Sequence, residues 1–389
     1  MAHGVGLAEV LRTFGPAYAA QHPLSPIQAR AWRAVVACRT VALGGHVEGC
    51  DTCGVTRYRY HSCRNRHCPL CQTRAKEAWL TARRRELLPV AYFHVVFTLP
   101  HALNFLIARH DRRMYEMLFG AASATLSEFA ANPRWLGGAP AFTLVLHTWK
   151  QDLGRHVHVH ALVAGGALTG QGAWVSPTRG FLFPVHALSK VFRGKFMARL
   201  AAERARGALD QDEALTDAFW RDLTHQLYRH EWVVYAKEPL GGPAQVLEYL
   251  GRYTHRVAIS NERLLGLHQG HVRLRVRDPT RPTGRRVIEV AGEEFIGRFL
   301  LHVLPRGFKR IRHYGLLGPA KKKVRLAAAR AALNVAPPKT VVVESVDAFM
   351  RRVASIEWAR CPDCHTGHFV FLEAIAPSAL RLPSARGPP

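Results

Sequence analysis

Three groups of residues in this chain have the types and spacing of working chemistry. His156, His158 and His160 alternate along a short apolar stretch, so on a strand all three imidazoles point to one face, where they could hold a divalent metal. Mg²⁺ prefers oxygen and Mn²⁺ accepts imidazole, so either ion calls for an oxygen donor beside His158 and His160. Gln151, at the end of the preceding strand-like stretch, is the candidate, with Asp152 and His147 as alternatives. Tyr249 and Tyr253 stand in Tyr249-Leu-Gly-Arg-Tyr253, a spacing that puts both phenols on one helix face. A phenol, with a pKa of roughly 10, is a weak nucleophile at neutral pH. A metal that polarises a phosphate offsets this, and attack by tyrosine conserves the bond energy as a phosphotyrosine. Two tyrosines then permit two strand transfers in sequence.

The third group is the cysteines. Six of the eight lie between Cys38 and Cys71, and the other two are Cys361 and Cys364. Cys50-x-x-Cys53 and Cys68-x-x-Cys71 have the form of two zinc knuckles. With Cys38, His46, Cys63 and His67 they make eight donors, enough for two closed four-ligand zinc sites. Spacing leaves the assignment of ligands to sites open, and His61 could compete. Cys361-Pro-Asp-Cys364 looks like half a zinc ribbon, with His365 and His368 available to complete it; a metal-free turn is the alternative.

Composition says what these groups act on. Lys and Arg number 54 against 28 Asp and Glu, a formal charge of +26. Such an excess on a chain with 48% hydrophobic residues points to a globular protein whose partner is a polyanion, with nucleic acid foremost. No apolar run approaches a membrane span, and no basic segment precedes an apolar core at the N-terminus. The expected location is the bacterial cytoplasm, with the nucleoid, where clustered cysteines favour metal over disulfides.

The elements that must carry these groups follow from hydrophobic periodicity. Helices are expected over 7–14, 26–36 and 73–88, then strands over 92–99, 141–149 and 156–163, the last two forming a hairpin in an antiparallel sheet. Helices at 103–129, 185–208, 212–228, 243–253 and 293–303, and strands at 232–236, 257–260, 271–276 and 286–290, complete an α+β fold. The cysteine-rich stretch reads as loop-rich to about Gln72, and the basic, Ala-rich tail beyond residue 319 as partly mobile. Expected domains are 1–88 (helices and zinc module), 89–318 (the core) and 319–389 (a basic extension).

Read together, these residues resemble the HUH superfamily of single-strand endonucleases. Phe93-His-Val-Val-Phe-Thr-Leu-Pro100 resembles its first motif, His158-Val-His160 its metal motif and Tyr249-x-x-x-Tyr253 its nucleophile motif, in the same order. More narrowly, Cys63-Arg-Asn-Arg-His-Cys-Pro-Leu-Cys71 and Tyr249-Leu-Gly-Arg-Tyr-Thr-His-Arg-Val-Ala-Ile-Ser260 are similar to two-tyrosine rolling-circle insertion-sequence transposases of the IS91-like type. The family often has Pro where this chain has Val157 and Asn where it has His61. The resemblance implies an HUH core with a central antiparallel sheet. It also implies Mg²⁺ or Mn²⁺ on His158 and His160, with Gln151 placed where superfamily members often put a third ligand. Tyr249 and Tyr253 would be the nucleophiles that cleave and rejoin single-stranded or locally melted element ends. One or two Zn²⁺ would sit in the N-terminal module, and no small-molecule substrate is implied. Trp149 and Trp232 are candidates for base stacking or for the core, and Lys237 for contact with the scissile phosphate. Two rivals share parts of the pattern: a plasmid-type replication initiator or relaxase, and a non-catalytic zinc-dependent DNA-binding protein.

Overall fold

The computed structural model describes residues 5–178, 182–209, 215–240, 258–337 and 360–378, together with the single positions 245, 251, 348, 351 and 352. Tyr249 and Tyr253 lie outside the described residues, as does most of the helix expected over 243–253. The first elements are α1 (Leu7–Gln21), α2 (Pro26–Ala37), β1 (Gly45–Cys50), β2 (Thr56–Tyr60) and α3 (Gln72–Arg84). Next come β3 (Tyr92–Thr98), α4 (Asn104–Arg109), α5 (Asp111–Ala131), β4 (Ala139–Trp149), β5 (Arg155–Leu168) and β6 (Trp174–Val175). Then follow α6 (Val185–Ala205), α7 (Asp217–Arg229), β7 (Val234–Leu240), β8 (Leu264–His268), β9 (His271–Arg277) and β10 (Arg285–Ala291). The last are α8 (Gly292–Leu300), β11 (Ile311–Gly315), α9 (Lys322–Ala332) and β12 (Phe369–Ile375). Antiparallel sheets flanked by helices make this an α+β fold, as its periodicities indicate.

The chain divides into two compact units, one of Met1–Thr73, Ile259–Val303 and Pro338–Pro389, the other of Arg74–Ala258 and Leu304–Pro337. This division is not collinear with the sequence, unlike the boundaries expected at 88 and 318. In the first unit α8 buries Phe295, Ile296 and Phe299, an apolar stripe on a nine-residue helix that needs a partner helix. α1 supplies it. A Cβ at Gly292 would lie 2.1 Å from the Phe14 ring, so glycine is what lets the two approach. The Asn261 side chain accepts from the Leu7 amide at 3.1 Å, satisfying a donor at the start of α1. α2 opens on a capping box of Ser25 and Gln28, with Pro26 in its first turn. Two three-stranded sheets, β12-β1-β2 and β10-β9-β8, complete the unit.

One expectation fails in this unit and two are sharpened. The loop-rich cysteine stretch also holds β1 and β2, and residues 369–375 of the tail form β12, antiparallel to β1. The strand expected over 257–260 is absent from its described part: Ala258 has φ +60°, which a strand does not accept. The strand starts later, at Leu264.

The second unit is built on a six-stranded antiparallel sheet of order β11-β4-β5-β3-β7, with β6 added to β5. The expected 141–149 and 156–163 hairpin is present as β4 and β5. β5 is buried along nearly its whole length, the mark of a central strand covered on both faces. Val157, Val159, Ala161 and Val163 join the main core with α5 and α6 residues such as Phe119 and Phe192. On the other face, Leu162 and Ala164 pack with Val145, Leu326 and Ala329, and Trp79 of α3 lies against them. Trp232 is 3% exposed within the main core, with its indole N–H donating to the Leu227 carbonyl at 2.9 Å. It is a packing residue, not a stacking platform for bases.

Candidate metal centres

Register places the histidines. His158 of β5 pairs with His147 of β4 and with Thr98 of β3, and His160 pairs with Val145 and Val96. Directly paired residues share a face, so His147, His158 and His160 converge on one side of the sheet. Their ring nitrogens lie within 4.8 Å of one another. His158 Nε2 is 3.1 Å from His160 Nε2, which is 3.1 Å from His147 Nδ1. An octahedral ion with bonds of about 2.1 Å spaces adjacent ligands by about 3.0 Å, and a tetrahedral one by about 3.4 Å. The set therefore fits a divalent ion, with the octahedral spacing the closer.

The outer nitrogens are held. His158 Nδ1 lies 2.9 Å from the His156 carbonyl, so this nitrogen carries the proton and Nε2 is left as the donor to a metal. His160 Nδ1 lies 2.7 Å from Nε2 of the buried His94, which fixes the ring with Nε2 toward the cluster. Burial pushes His158 down to about 4, with the charge of His156 adding to the effect. Burial, then His147, holds His160 well below its ordinary value. Both imidazoles are thus neutral at physiological pH, the form in which a histidine can ligate a metal.

Gln151 is exposed in the turn between β4 and β5, whereas the third nitrogen of the cluster belongs to His147, one of the alternatives. Asp152 Oδ1 accepts from the Gly154 amide at 2.9 Å, a turn-forming contact. His156 is half-buried, with Nδ1 3.3 Å from His101 Nε2. Trp149 stacks on His147 at 4.6 Å. Sequence reasoning named His147 as an alternative and did not single out His94. The signal for His94 was its place inside the Phe93–Pro100 motif on the neighbouring strand.

The cysteines form two separate sets in the first unit. Cys38, Cys63, Cys68 and Cys71 have their sulfurs within 4.8 Å of one another, with Cys71 Sγ 3.5 Å from Cys38 and 3.6 Å from Cys63. Four sulfurs at about 2.3 Å from a zinc ion stand about 3.8 Å apart, so the cluster has nearly the dimensions of a tetrathiolate site. Hydrogen bonds from Cys63 and Cys68 pull Cys38 down to about 7, while contact with Cys38 pushes Cys63 and Cys68 up. His46 and His67 stand outside both sets. His46 Nε2 lies 3.0 Å from Glu48, and His67 Nδ1 lies 3.0 Å from Asn65 Oδ1. Cys50 and Cys53 do not join Cys68 and Cys71 but face Cys361 and Cys364.

The first unit also presents a basic strand. Along β9, Val272, Leu274 and Val276 are buried while Arg273, Arg275 and Arg277 project from the opposite face, and Arg285 of β10 pairs with Arg277. Such a row of guanidiniums is suited to phosphate oxygens.

Comparison with known proteins gives these features a family. Residues 141–325 match the family described as "Putative transposase", and residues 10–99 match the "Transposase zinc-binding domain" of IS91 type. The chain is 44% identical over 380 residues to "Putative transposase y4qJ" of Sinorhizobium fredii (strain NBRC 101917 / NGR234), covering 95% of each chain. It is 26% identical over 336 residues to the "Transposase for insertion sequence element IS801" of Pseudomonas savastanoi pv. phaseolicola, covering 79% of this chain and 80% of that one. No solved structure matches. The chain belongs to the IS91-type insertion-sequence transposases. It is a DNA-processing protein with a zinc-binding domain, and no described helix is long and apolar enough to cross a membrane.

Proposed function

We propose that this transposase cleaves and rejoins single-stranded DNA at the ends of its element, the rolling-circle mode, through 5′-phosphotyrosine intermediates on Tyr249 and Tyr253. The observation that carries it is the convergence of three buried imidazole nitrogens of His147, His158 and His160 on one face of the central hairpin. Three neutral ligands leave a divalent ion its full charge, which suits it to draw electrons from an anionic phosphate oxygen. Among the two ions implied by the sequence, a three-imidazole set favours Mn²⁺ over Mg²⁺. In the cleavage step a tyrosine oxygen attacks phosphorus, the bond to the 3′ oxygen breaks, and that oxygen leaves as a hydroxyl. Rejoining is the reverse attack.

The surroundings support a nucleophile on the histidine face. Lys237 of β7 is the register partner of His94, so the strand that leads to the tyrosine segment runs beside the motif strand. Gly251, between the two tyrosines, sits where a Cβ would be 3.0 Å from Leu80 Cδ1, on the helix whose Trp79 packs against the histidine side of the sheet. The Arg273, Arg275 and Arg277 face would follow the DNA backbone.

The test is covalent capture. A single-stranded oligonucleotide carrying an element end, with Mn²⁺, gives a protein-DNA adduct with the wild type and none with the Tyr249→Phe, Tyr253→Phe double variant. An adduct of equal yield from the double variant removes the proposal.

A further inference from the structure

We propose that Cys50, Cys53, Cys361 and Cys364 form a second tetrathiolate zinc site, which clasps the C-terminal strand β12 to the N-terminal module. The zinc-binding family match ends at residue 99 and the transposase match at residue 325, so Cys361 and Cys364 fall outside both. Their sulfurs nevertheless converge with those of Cys50 and Cys53, all within 4.8 Å. Cys50 Sγ is 3.7 Å from Cys364 Sγ, and Cys53 Sγ is 3.7 Å from Cys361 Sγ. That is the edge of a Zn–S₄ tetrahedron and far from the about 2.05 Å of a disulfide.

The two contributing segments are built alike. Each Cys-x-x-Cys turns back so that the residue after the second cysteine donates to the carbonyl of the first: Gly54 N–H to Cys50 O and His365 N–H to Cys361 O, both at 3.1 Å. Each of these residues has a positive φ, +73° at Gly54 and +58° at His365. Backbone amides also point at sulfur, Cys53 N to Cys50 Sγ at 3.5 Å and Gly367 N to Cys364 Sγ at 3.3 Å. Such donors stabilise thiolate over thiol. A Cβ at Gly367 would fall 2.4 Å from Cys50 Sγ, so glycine here lets the second knuckle close over the first. β1 and β12 hold the pair in register, with Cys50 opposite Phe369. His368 donates its amide to Asp51 Oδ1 at 2.8 Å and accepts from the Asp51 amide at 3.0 Å.

Zinc binding releases thiol protons and couples metal affinity to folding. Cys50 and Cys364 are 314 residues apart, so the ion ties together two sequence-distant segments that the β1–β12 ladder aligns. His365 and His368 are not needed as ligands.

Zinc content of the full-length protein tests this. The expected values are two ions in the wild type, and one in Cys361→Ser, Cys364→Ser, in Cys50→Ser, Cys53→Ser, and in the quadruple variant that combines them. Non-additivity shows that both pairs serve one ion. A wild type with a single ion, or a Cys361→Ser, Cys364→Ser protein with two, overturns the site. Should the variants fold poorly, thiol alkylation of wild type under stepwise chelation serves instead, read by mass spectrometry. Cys50, Cys53, Cys361 and Cys364 should become reactive together, as a step distinct from Cys38, Cys63, Cys68 and Cys71. Labelling of Cys361 and Cys364 before any metal leaves would overturn it.

Discussion

The histidine cluster and the cysteine clusters assemble their ligands in opposite ways. His147, His158 and His160 lie within 13 residues of chain, and hairpin register alone brings them together. The sulfurs of the second cysteine set are drawn from positions 314 residues apart, so their site exists only once the first unit has closed on itself. The first is therefore a rigid local feature of a buried sheet, and the second a consequence of global topology. Losing one should leave the other largely intact.

The largest expected effect separates them at the chemistry. His160→Ala should lower the yield of covalent DNA adduct by about a thousandfold or more, the scale of removing a metal that stabilises a phosphate transition state. Its zinc content should equal that of wild type by elemental analysis. Loss of zinc alongside activity would mean that the two regions are not independent. The converse substitution, Cys71→Ser, should cost one zinc ion and at least about 3 kcal/mol of stability, as expected for a structural site missing a ligand. Calorimetric Mn²⁺ binding to the histidines should survive in that protein at temperatures where it stays folded. A Cys71→Ser protein as stable as wild type would show this cluster to be ornamental.

A smaller effect tests how the histidine cluster is held. His94 contacts the outer nitrogen of His160 at 2.7 Å, and loss of such a partner usually weakens metal binding about 10- to 100-fold. In His94→Ala the Mn²⁺ concentration that gives half-maximal adduct formation should rise by that factor, with activity recovered at high Mn²⁺. An unchanged Mn²⁺ dependence would make His94 a packing residue only.

How much was legible follows the same division. Strand alternation exposed the β4–β5 hairpin and its metal-type histidines, because residues i and i+2 on a strand must share a face whatever surrounds them. That His147 joins His158 and His160 required the register between β4 and β5, which a turn of uncertain length hides. The cysteines told of zinc and even of eight donors, but the spacing did not show which cysteines the fold brings together. His46 and His67 lie nearby in sequence, whereas Cys361 and Cys364 lie far away, and spacing cannot reveal that β12 pairs with β1. Nor did periodicity show that α8 belongs with α1. An apolar stripe announces that a partner exists without naming it.

The smallest effect concerns the edge of the sheet that carries the histidines, and it distinguishes acid weakness there from acid release of thiolate-bound zinc. His313 of β11 has Nδ1 2.8 Å from Thr143 Oγ1 and Nε2 2.9 Å from Arg83 Nη1. Arg83 donates to Nε2, so the imidazole must be neutral in the folded state. Burial, then the charges of Arg83 and Lys322, push it down to about 4. An unfolded histidine titrates near 6.5, so the folded state binds fewer protons between these values. The stabilisation is complete above pH about 6.5 and is lost as pH falls toward 4. Between pH 7 and pH 5 the loss should be on the order of 2 kcal/mol. His313→Gln, which cannot titrate, should lose that much less over the same interval in denaturant unfolding of the second unit's transition. Zinc release from the first unit, followed with a chromogenic chelator, should keep the same pH midpoint in both proteins. If the two proteins lose stability in parallel, His313 is not the group that titrates. If the zinc midpoint moves with the substitution, the sheet and the thiolate clusters are coupled and the contrast between them fails.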